Sequence, residues 1–338
     1  MKIKSLHIKN FKSLVDLEIV DPNPFTVFVG ANGVGKSNIF EALEFVAYSE
    51  NTSLHGLFGG LDAVQTFGSE RTPSIRLNAS DLIFNIGYAE VFDAFLTMVT
   101  SIDDSGSWIF NEDLSHNKFK IREKNSQRFT DEILKKISRI FVGREDYLKL
   151  KLNSDQRLNL ACSNLEKVLK RLLLDEKKRE EIIEYLQLFI PEFENIEIHS
   201  DNIGGTDSLL IYEKGSKRPF NKNLISDGTY NLICLLTAIL QSDEPQFLCI
   251  EEPENGLTPY VIEVLVQLFR SKCEENGHYI WLNTHSQTLV RHLKEEELIL
   301  VNKVKGATEI TQLKKGDFYG LNADDAWLTN ALGAGLPW

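Results

Sequence analysis

From Lys2 to Lys9 apolar and basic residues alternate as K-I-K-S-L-H-I-K, the two-residue period of a half-buried strand. Shorter apolar runs, Leu17 to Val20 and Thr26 to Gly30, predict two more strands, after which a helical period holds from Lys36 to about Tyr48. A glycine-rich loop, LHGLFGGLDAVQTFGSERTP, comes next. Further strands are expected at about Ser74 to Asn78, Ile83 to Phe92 and Lys118 to Glu123. From about Asp131 to Phe189 apolar residues recur at helical spacing with charges between them, enough for about two helices and too little for a sustained heptad coiled coil. Pro191 closes that block. Strands at Asn195 to His199, Gln246 to Glu251, Tyr279 to Thr284 and Leu298 to Asn302 then alternate with helices at about Asp227 to Gln241, Pro259 to Cys273 and Gln287 to Leu293. Such alternation predicts an α/β fold with parallel strands. The expected division is an N-terminal lobe over 1–130, a helical insertion over 131–190 and a C-terminal lobe over 191–338.

Composition narrows this picture only a little. The 338 residues are 42% hydrophobic and 25% charged, an ordinary globular balance. The longest apolar run, Leu232 to Leu240, is about half the roughly 20 residues a membrane span needs, and the N-terminus has no signal-like apolar core. A soluble cytoplasmic protein, with no membrane partner, is expected. Cys162, Cys234, Cys249 and Cys273 are scattered without a C-x-x-C pair, so they read as small core residues. A net charge of −12 gives no global basic field for nucleic acid. Local basic clusters, KVLKRLLLDEKKR and Lys214 to Arg218, keep DNA as a candidate partner, although a charge run on a helix is usually a solvated face.

The chemistry is concentrated in four stretches. In FTVFVGANGVGKSNIFEAL an apolar strand runs into Gly30, Ala31, Asn32, Gly33, Val34, Gly35, Lys36 and Ser37, followed by Asn38 on a helix: the strand, loop and helix of a phosphate-binding P-loop. Glycines let backbone N–H groups curl around phosphate, the helix N-terminus adds its positive end, Lys36 reaches the β/γ oxygens and Ser37 is placed to ligate magnesium. ATP and Mg2+ are therefore the expected ligands. In FLCIEEPENGLTPYV a core strand ends in two acids; Glu251 would take the metal-side role and Glu252 that of general base. YIWLNTHS ends a third strand at His285, either a structural histidine or one that reaches the γ-phosphate. In NLISDGTYNLICLLTAIL, Ser226, Asp227 and Gly228 start an apolar helix, either as an ordinary N-cap or as a phosphate-binding helix start.

In their order along the chain the four stretches resemble the ABC-type ATPase heads of the RecF, SMC and OLD group, and the opening KIKSLHIKNFKSL resembles that group's first strand. The resemblance spans nearly the whole chain. It implies a P-loop NTPase fold, an ABC-type head with a mixed sheet and a short helical insertion. GANGVGKSN would be Walker A, ISDGT a degenerate signature lacking the usual Gly-Gly, FLCIEEP Walker B, ENGLTP the D-loop and NTHS the histidine switch. Carried over, Glu252 would be the base, His285 the γ-phosphate sensor and Lys12 a nucleotide-phosphate contact. Ser226 to Gly228 would touch ATP held by a second copy, giving a homodimer around two nucleotides. OLD-type nucleases add a Toprim domain, for which the roughly fifty residues after His285 are too few, so nuclease or toxin chemistry is expected from a separate effector. The expectation is an ATP hydrolase that regulates that effector, in DNA maintenance or antiphage defence. A non-hydrolysing ATP-clamped scaffold is the alternative. No glutamine is placed in a Q-loop; Gln65 and Gln127 are the two considered.

Overall fold

The computed structural model describes residues 2–48, 58–80, 82–89, 94–101, 107–111, 136–142, 155–201, 206–329 and 331–332. Its centre is a six-stranded sheet ordered β15-β14-β3-β13-β12-β8, with strands at Phe25–Val29 (β3), Ile137–Ile140 (β8), Phe247–Glu251 (β12), Tyr279–Thr284 (β13), Leu298–Val304 (β14) and Ala307–Gln312 (β15). Five strands are parallel and β15 folds back antiparallel on β14, so the sheet is mixed. Every residue of β3, β12 and β13 is buried, which is why their sequences read as unbroken apolar runs.

The two faces of that sheet bury two cores. Phe28, Phe247, Cys249 and Trp281 pack toward helix α1 (Lys36–Ala47) and an antiparallel sheet; Val27, Val29, Leu248, Ile250 and Leu282 pack toward the long helices of the C-terminal half. Trp281, fully buried, meets the rings of Phe28 and Phe247 at 5.3 and 4.8 Å. The antiparallel sheet is ordered β2-β1-β4-β5-β6-β7, from Ile3–Phe11 (β1), Leu14–Val20 (β2), Ser74–Ala79 (β4), Leu82–Ala89 (β5), Ala94–Ser101 (β6) and Ser107–Asn111 (β7). A small sheet of Phe193–Ser200 (β9), Asp207–Glu213 (β10) and Phe220–Asn221 (β11) packs with helices Leu165–Leu173 (α3) and Glu176–Phe189 (α4). The remaining helices are Leu61–Val64 (α2), Asp227–Leu240 (α5), Pro259–Asn276 (α6), Gln287–Arg291 (α7) and Ala323–Leu328 (α8). No described helix is long and apolar enough to cross a membrane, and all four cysteines are buried free thiols.

One expectation is corrected here. The block read as helical from Asp131 contains β8, an edge strand of the central sheet paired in parallel with β12. Four residues carry too little pattern to be told from a helix turn, and the strand that pairs with them lies more than a hundred residues later. The strand expected at Lys118 to Glu123 lies outside the described residues.

Candidate nucleotide site

All four motifs stand at the C-terminal ends of the parallel strands or on the loops beside them. After β3 the chain forms the loop from Gly30 to Gly35, with Ala31 half-buried, Asn32 and Gly33 exposed at its crest and Val34 buried beneath. Two of its glycines are required by packing. A Cβ on Gly30 would lie 2.1 Å from the Val301 carbonyl oxygen of β14. One on Gly35, which has φ 106°, would lie 2.2 and 2.5 Å from the hydroxyls of Thr308 and Ser13. Those hydroxyls form a relay the sequence does not reveal. Asn38 Nδ2 donates to Ser13 Oγ (2.8 Å), Ser13 pairs with Thr308 Oγ1 (2.6 Å), and Thr308 donates to the Val34 carbonyl (2.7 Å). The β1–β2 turn and β15 thus brace the loop from behind.

Lys36, 4% exposed, folds its ammonium into the loop and donates to the Gly30 and Ala31 carbonyls at 2.8 and 2.9 Å. Burial pushes its pKa down to about 8, against the pull of Glu252, Glu251 and Glu254. Three carboxylates therefore feel this one cation.

The strand bearing the paired glutamates is not next to the P-loop strand; β13 lies between them and brings Asn283 into the site. Ser37 Oγ donates to Glu251 Oε2 at 2.5 Å, and Asn283 Nδ2 reaches the same oxygen at 3.3 Å and Ser37 Oγ at 3.1 Å. The other oxygen, Oε1, accepts from Arg139 of β8 through Nε (2.6 Å) and Nη2, while Arg139 Nη1 donates to Glu44 of α1 at 2.8 Å. Here is the compensation that a buried strand-end carboxylate needs. Sequence reading missed Arg139 and Glu44.

Glu252 leaves β12 with φ 47°, a left-handed backbone that costs an L-residue about 1–2 kcal/mol. Its N–H donates to the Asn283 carbonyl (2.8 Å), and its carboxylate accepts from Asn255 (3.1 Å). Glu254, unassigned from the sequence, is held by Thr284 Oγ1 (2.5 Å) and the His285 N–H (3.3 Å), and burial raises its pKa. His285 is exposed at the tip of β13; partial desolvation and Lys36 hold its pKa below the usual histidine value, and its ring meets the Gly30 backbone. Glu254 Oε2 and Asn283 Oδ1 are buried without hydrogen-bond partners, so the site presents two polar atoms that protein leaves unsatisfied. Ser37 Oγ and Glu251 Oε2, 2.5 Å apart, are oxygen donors of the kind that suits a hard divalent cation such as Mg2+, and Asn283 faces both with its amide nitrogen.

The helix start is attached differently. Ser226 caps α5 by accepting from the Thr229 N–H (3.1 Å), and both Ser226 and Asp227 are exposed. Gly228 presses on Gly256 of the ENGLTP segment so closely that a Cβ there would lie 2.1 Å from the Gly256 carbonyl. Asn231 of α5 donates to the Pro253 and Asn255 carbonyls at 3.1 and 2.8 Å. Asn255 therefore touches Glu252 with its side chain and α5 with its backbone. Lys12, in the β1–β2 turn, pairs with Glu41 of α1. Gln65 spends its amide on the Ser69 and Arg71 carbonyls of its own turn, and Gln127 is outside the described residues. In the basic helices, Lys170 pairs with Asp207, Lys178 with Asp243, and Arg171 binds the carbonyls of Asp155, Gln156 and Gln241.

With this geometry in hand, residues 25–291 match the family model described as "AAA domain, putative AbiEii toxin, Type IV TA system". The chain belongs to this family. Its fold is that of an ABC-type ATPase head of the RecF/SMC-like kind. An Smc head solved with the C-terminal winged-helix domain of ScpA superposes at TM-score 0.57 and 16% identity, over 93% of this chain and 99% of that one. An Smc head with extended coiled coil, bound to the C-terminal domain of Pyrococcus furiosus ScpA, gives 0.55 and 15% over 93% and 96%. An "ATP/GTP phosphatase" of Helicobacter pylori is 20% identical across 94% of both chains. A RecF DNA replication and repair protein of Synechococcus is 43% identical over 47 residues, 14% of this chain and 12% of its own length.

Proposed function

We propose that this family member binds ATP with Mg2+ in the Gly30–Asn38 loop and hydrolyses it, and that two copies close around two nucleotides. The observation that carries this reading is the 2.5 Å bond from Ser37 to Glu251, which joins residues 214 positions apart at the foot of Lys36. Ser37 and Glu251 would hold the magnesium ion, which when bound supplies charge neutralisation on the phosphate oxygens. Lys36 would exchange its two carbonyl partners for phosphate oxygens. Glu252, turned off the strand line by its left-handed backbone, would take the proton from a water attacking the γ-phosphorus as the bond to the β–γ bridging oxygen breaks. His285 would contact the γ-phosphate; its lowered pKa favours the neutral ring, which can donate one hydrogen bond without adding charge.

The exposed first turn of α5 supports the dimer. Ser226 and Asp227 face solvent, while Gly228 and Asn231 are tied to the segment that follows Glu252. A nucleotide contacted by this turn from a second copy would bear on that copy's own Glu252 through Asn255. Closure would then be passed to a partner protein, as the solved Smc heads carry a ScpA domain. The partner would be an effector, a nuclease or toxin, in DNA maintenance or antiphage defence; DNA itself is a secondary candidate. The test is phosphate release and nucleotide binding by wild type and Lys36→Ala. Magnesium-dependent turnover that disappears in the variant is expected; a wild type that neither binds nor hydrolyses ATP, matching the variant, would overturn the proposal.

A further inference from the structure

Resting on that reading of Glu251, we infer that Arg139 is a positioning residue for the metal-side carboxylate, fixing which of its two oxygens faces the nucleotide and tying it to the helix that carries Ser37. The argument starts from an asymmetry. Glu251 Oε1 is saturated by two guanidinium N–H groups, whereas Oε2 accepts only from the hydroxyl of Ser37 and the amide of Asn283, both neutral. A charge-assisted, two-pronged bond is stronger than either neutral one, so Oε1 stays with Arg139 and Oε2 is the oxygen that can turn to a cation or its water. Binding is thereby held to one oxygen in one orientation.

The third guanidinium nitrogen adds a mechanical link. Nη1 holds Glu44, which lies on α1 seven residues after Ser37. Strand β8, strand β12 and helix α1 are thus joined at one planar group whose partners are 5% and 1% exposed, with Arg139 itself at 7%. The separation between Glu251 and Ser37, the two groups that would share the ion, is set by this tie as much as by the backbone. A pair that served only to fill the core would not need one carboxylate oxygen fully occupied and the other aimed at the P-loop.

The experiment measures nucleotide affinity with a fluorescent ATP analogue, first in chelator and then against rising Mg2+. Arg139→Lys keeps the charge but loses the fork. It is expected to raise the half-saturating Mg2+ concentration about tenfold, the lower end of what loss of an outer-sphere partner costs, with chelator-measured affinity within about twofold of wild type. Glu44→Gln keeps the Arg139–Glu251 pair and loosens only the tie to α1, so a smaller rise, about two- to threefold, is expected. A variant that melts at lower temperature yet shows wild-type Mg2+ dependence would mean a merely structural role and overturn the inference. If Arg139→Lys does not fold, an unchanged Mg2+ requirement in Glu44→Gln does the same. A wild type whose nucleotide affinity ignores Mg2+ would remove the reading of Glu251 itself, a separate failure from that of Arg139.

Discussion

The two halves of the proposed ATP site are built on opposite principles. The P-loop half is preassembled within one chain: Ser37, Glu251, Asn283 and Arg139 are linked by hydrogen bonds, Lys36 is bonded to the loop's own carbonyls, and all but the half-buried Ser37 are largely shielded from solvent. The helix-start half is open. Its outer residues, Ser226 and Asp227, face water, and the helix is anchored behind them, through Gly228 against Gly256 and the Asn231 amide on the Pro253 and Asn255 carbonyls. Buried charges must be satisfied at folding, so the first half cannot wait for its ligand. Exposed helix-start N–H groups are satisfied by water and can exchange it for phosphate later. The difference teaches that one half is fitted to bind on its own, whereas the other is fitted to respond to something brought to it.

The largest expected effect separates chemistry from binding inside the preassembled half. With Glu252 as the proposed base, Glu252→Gln should slow phosphate release by about 10²–10⁴-fold while nucleotide affinity stays near wild type, since a general base acts only on the attacking water. A rate within about threefold of wild type would move the base elsewhere, with Glu254 the next carboxylate to examine. Gly228→Ala attacks the close contact that anchors the open half. Its methyl would sit 2.1 Å from the Gly256 carbonyl oxygen, and relieving that clash should cost about 1–3 kcal/mol, read as a lower melting temperature. Turnover should fall further than stability does, because the displaced segment carries Asn255 and its bond to Glu252.

The smallest effect concerns protons. A folded-state pKa near 8 for Lys36, against an ordinary 10.5, means the unfolded chain holds the extra proton between those values. Stability of the nucleotide-free protein should therefore rise with pH across that window, and below about pH 8 no such gain remains. Nucleotide phosphates favour the charged form, so affinity should weaken by up to about tenfold per pH unit above 8, with proton uptake visible as a buffer-dependent binding enthalpy. A flat profile from pH 7 to 9.5 would place the ammonium outside the loop that buries it.

What the sequence made legible follows the range of the interactions. The P-loop, the glutamate strand and the NTHS strand are local patterns, an apolar run followed by its functional residues, and each element was expected close to where it lies. Arg139 was not legible, because its four-residue strand sits inside a stretch with helical spacing and its role exists only through a carboxylate 112 residues away. Nor was the Ser13–Thr308 brace, which spans 295 positions. The β14–β15 hairpin had a local signal that went unused: Lys305 and Gly306, at φ 49° and 88°, form a turn whose glycine marks the spot. Glu252's left-handed backbone left no trace at all, since a glutamate is not the residue that conformation favours.

The claim that one half binds while the other answers a second copy is tested most directly by the mass of Glu252→Gln in solution, measured by light scattering with saturating ATP and Mg2+ and again without nucleotide. The account predicts the single-chain mass without ATP and twice that mass with it, a shift that Ser226→Ala in the same background reduces. A single-chain mass at nucleotide concentrations that fill every P-loop would contradict it.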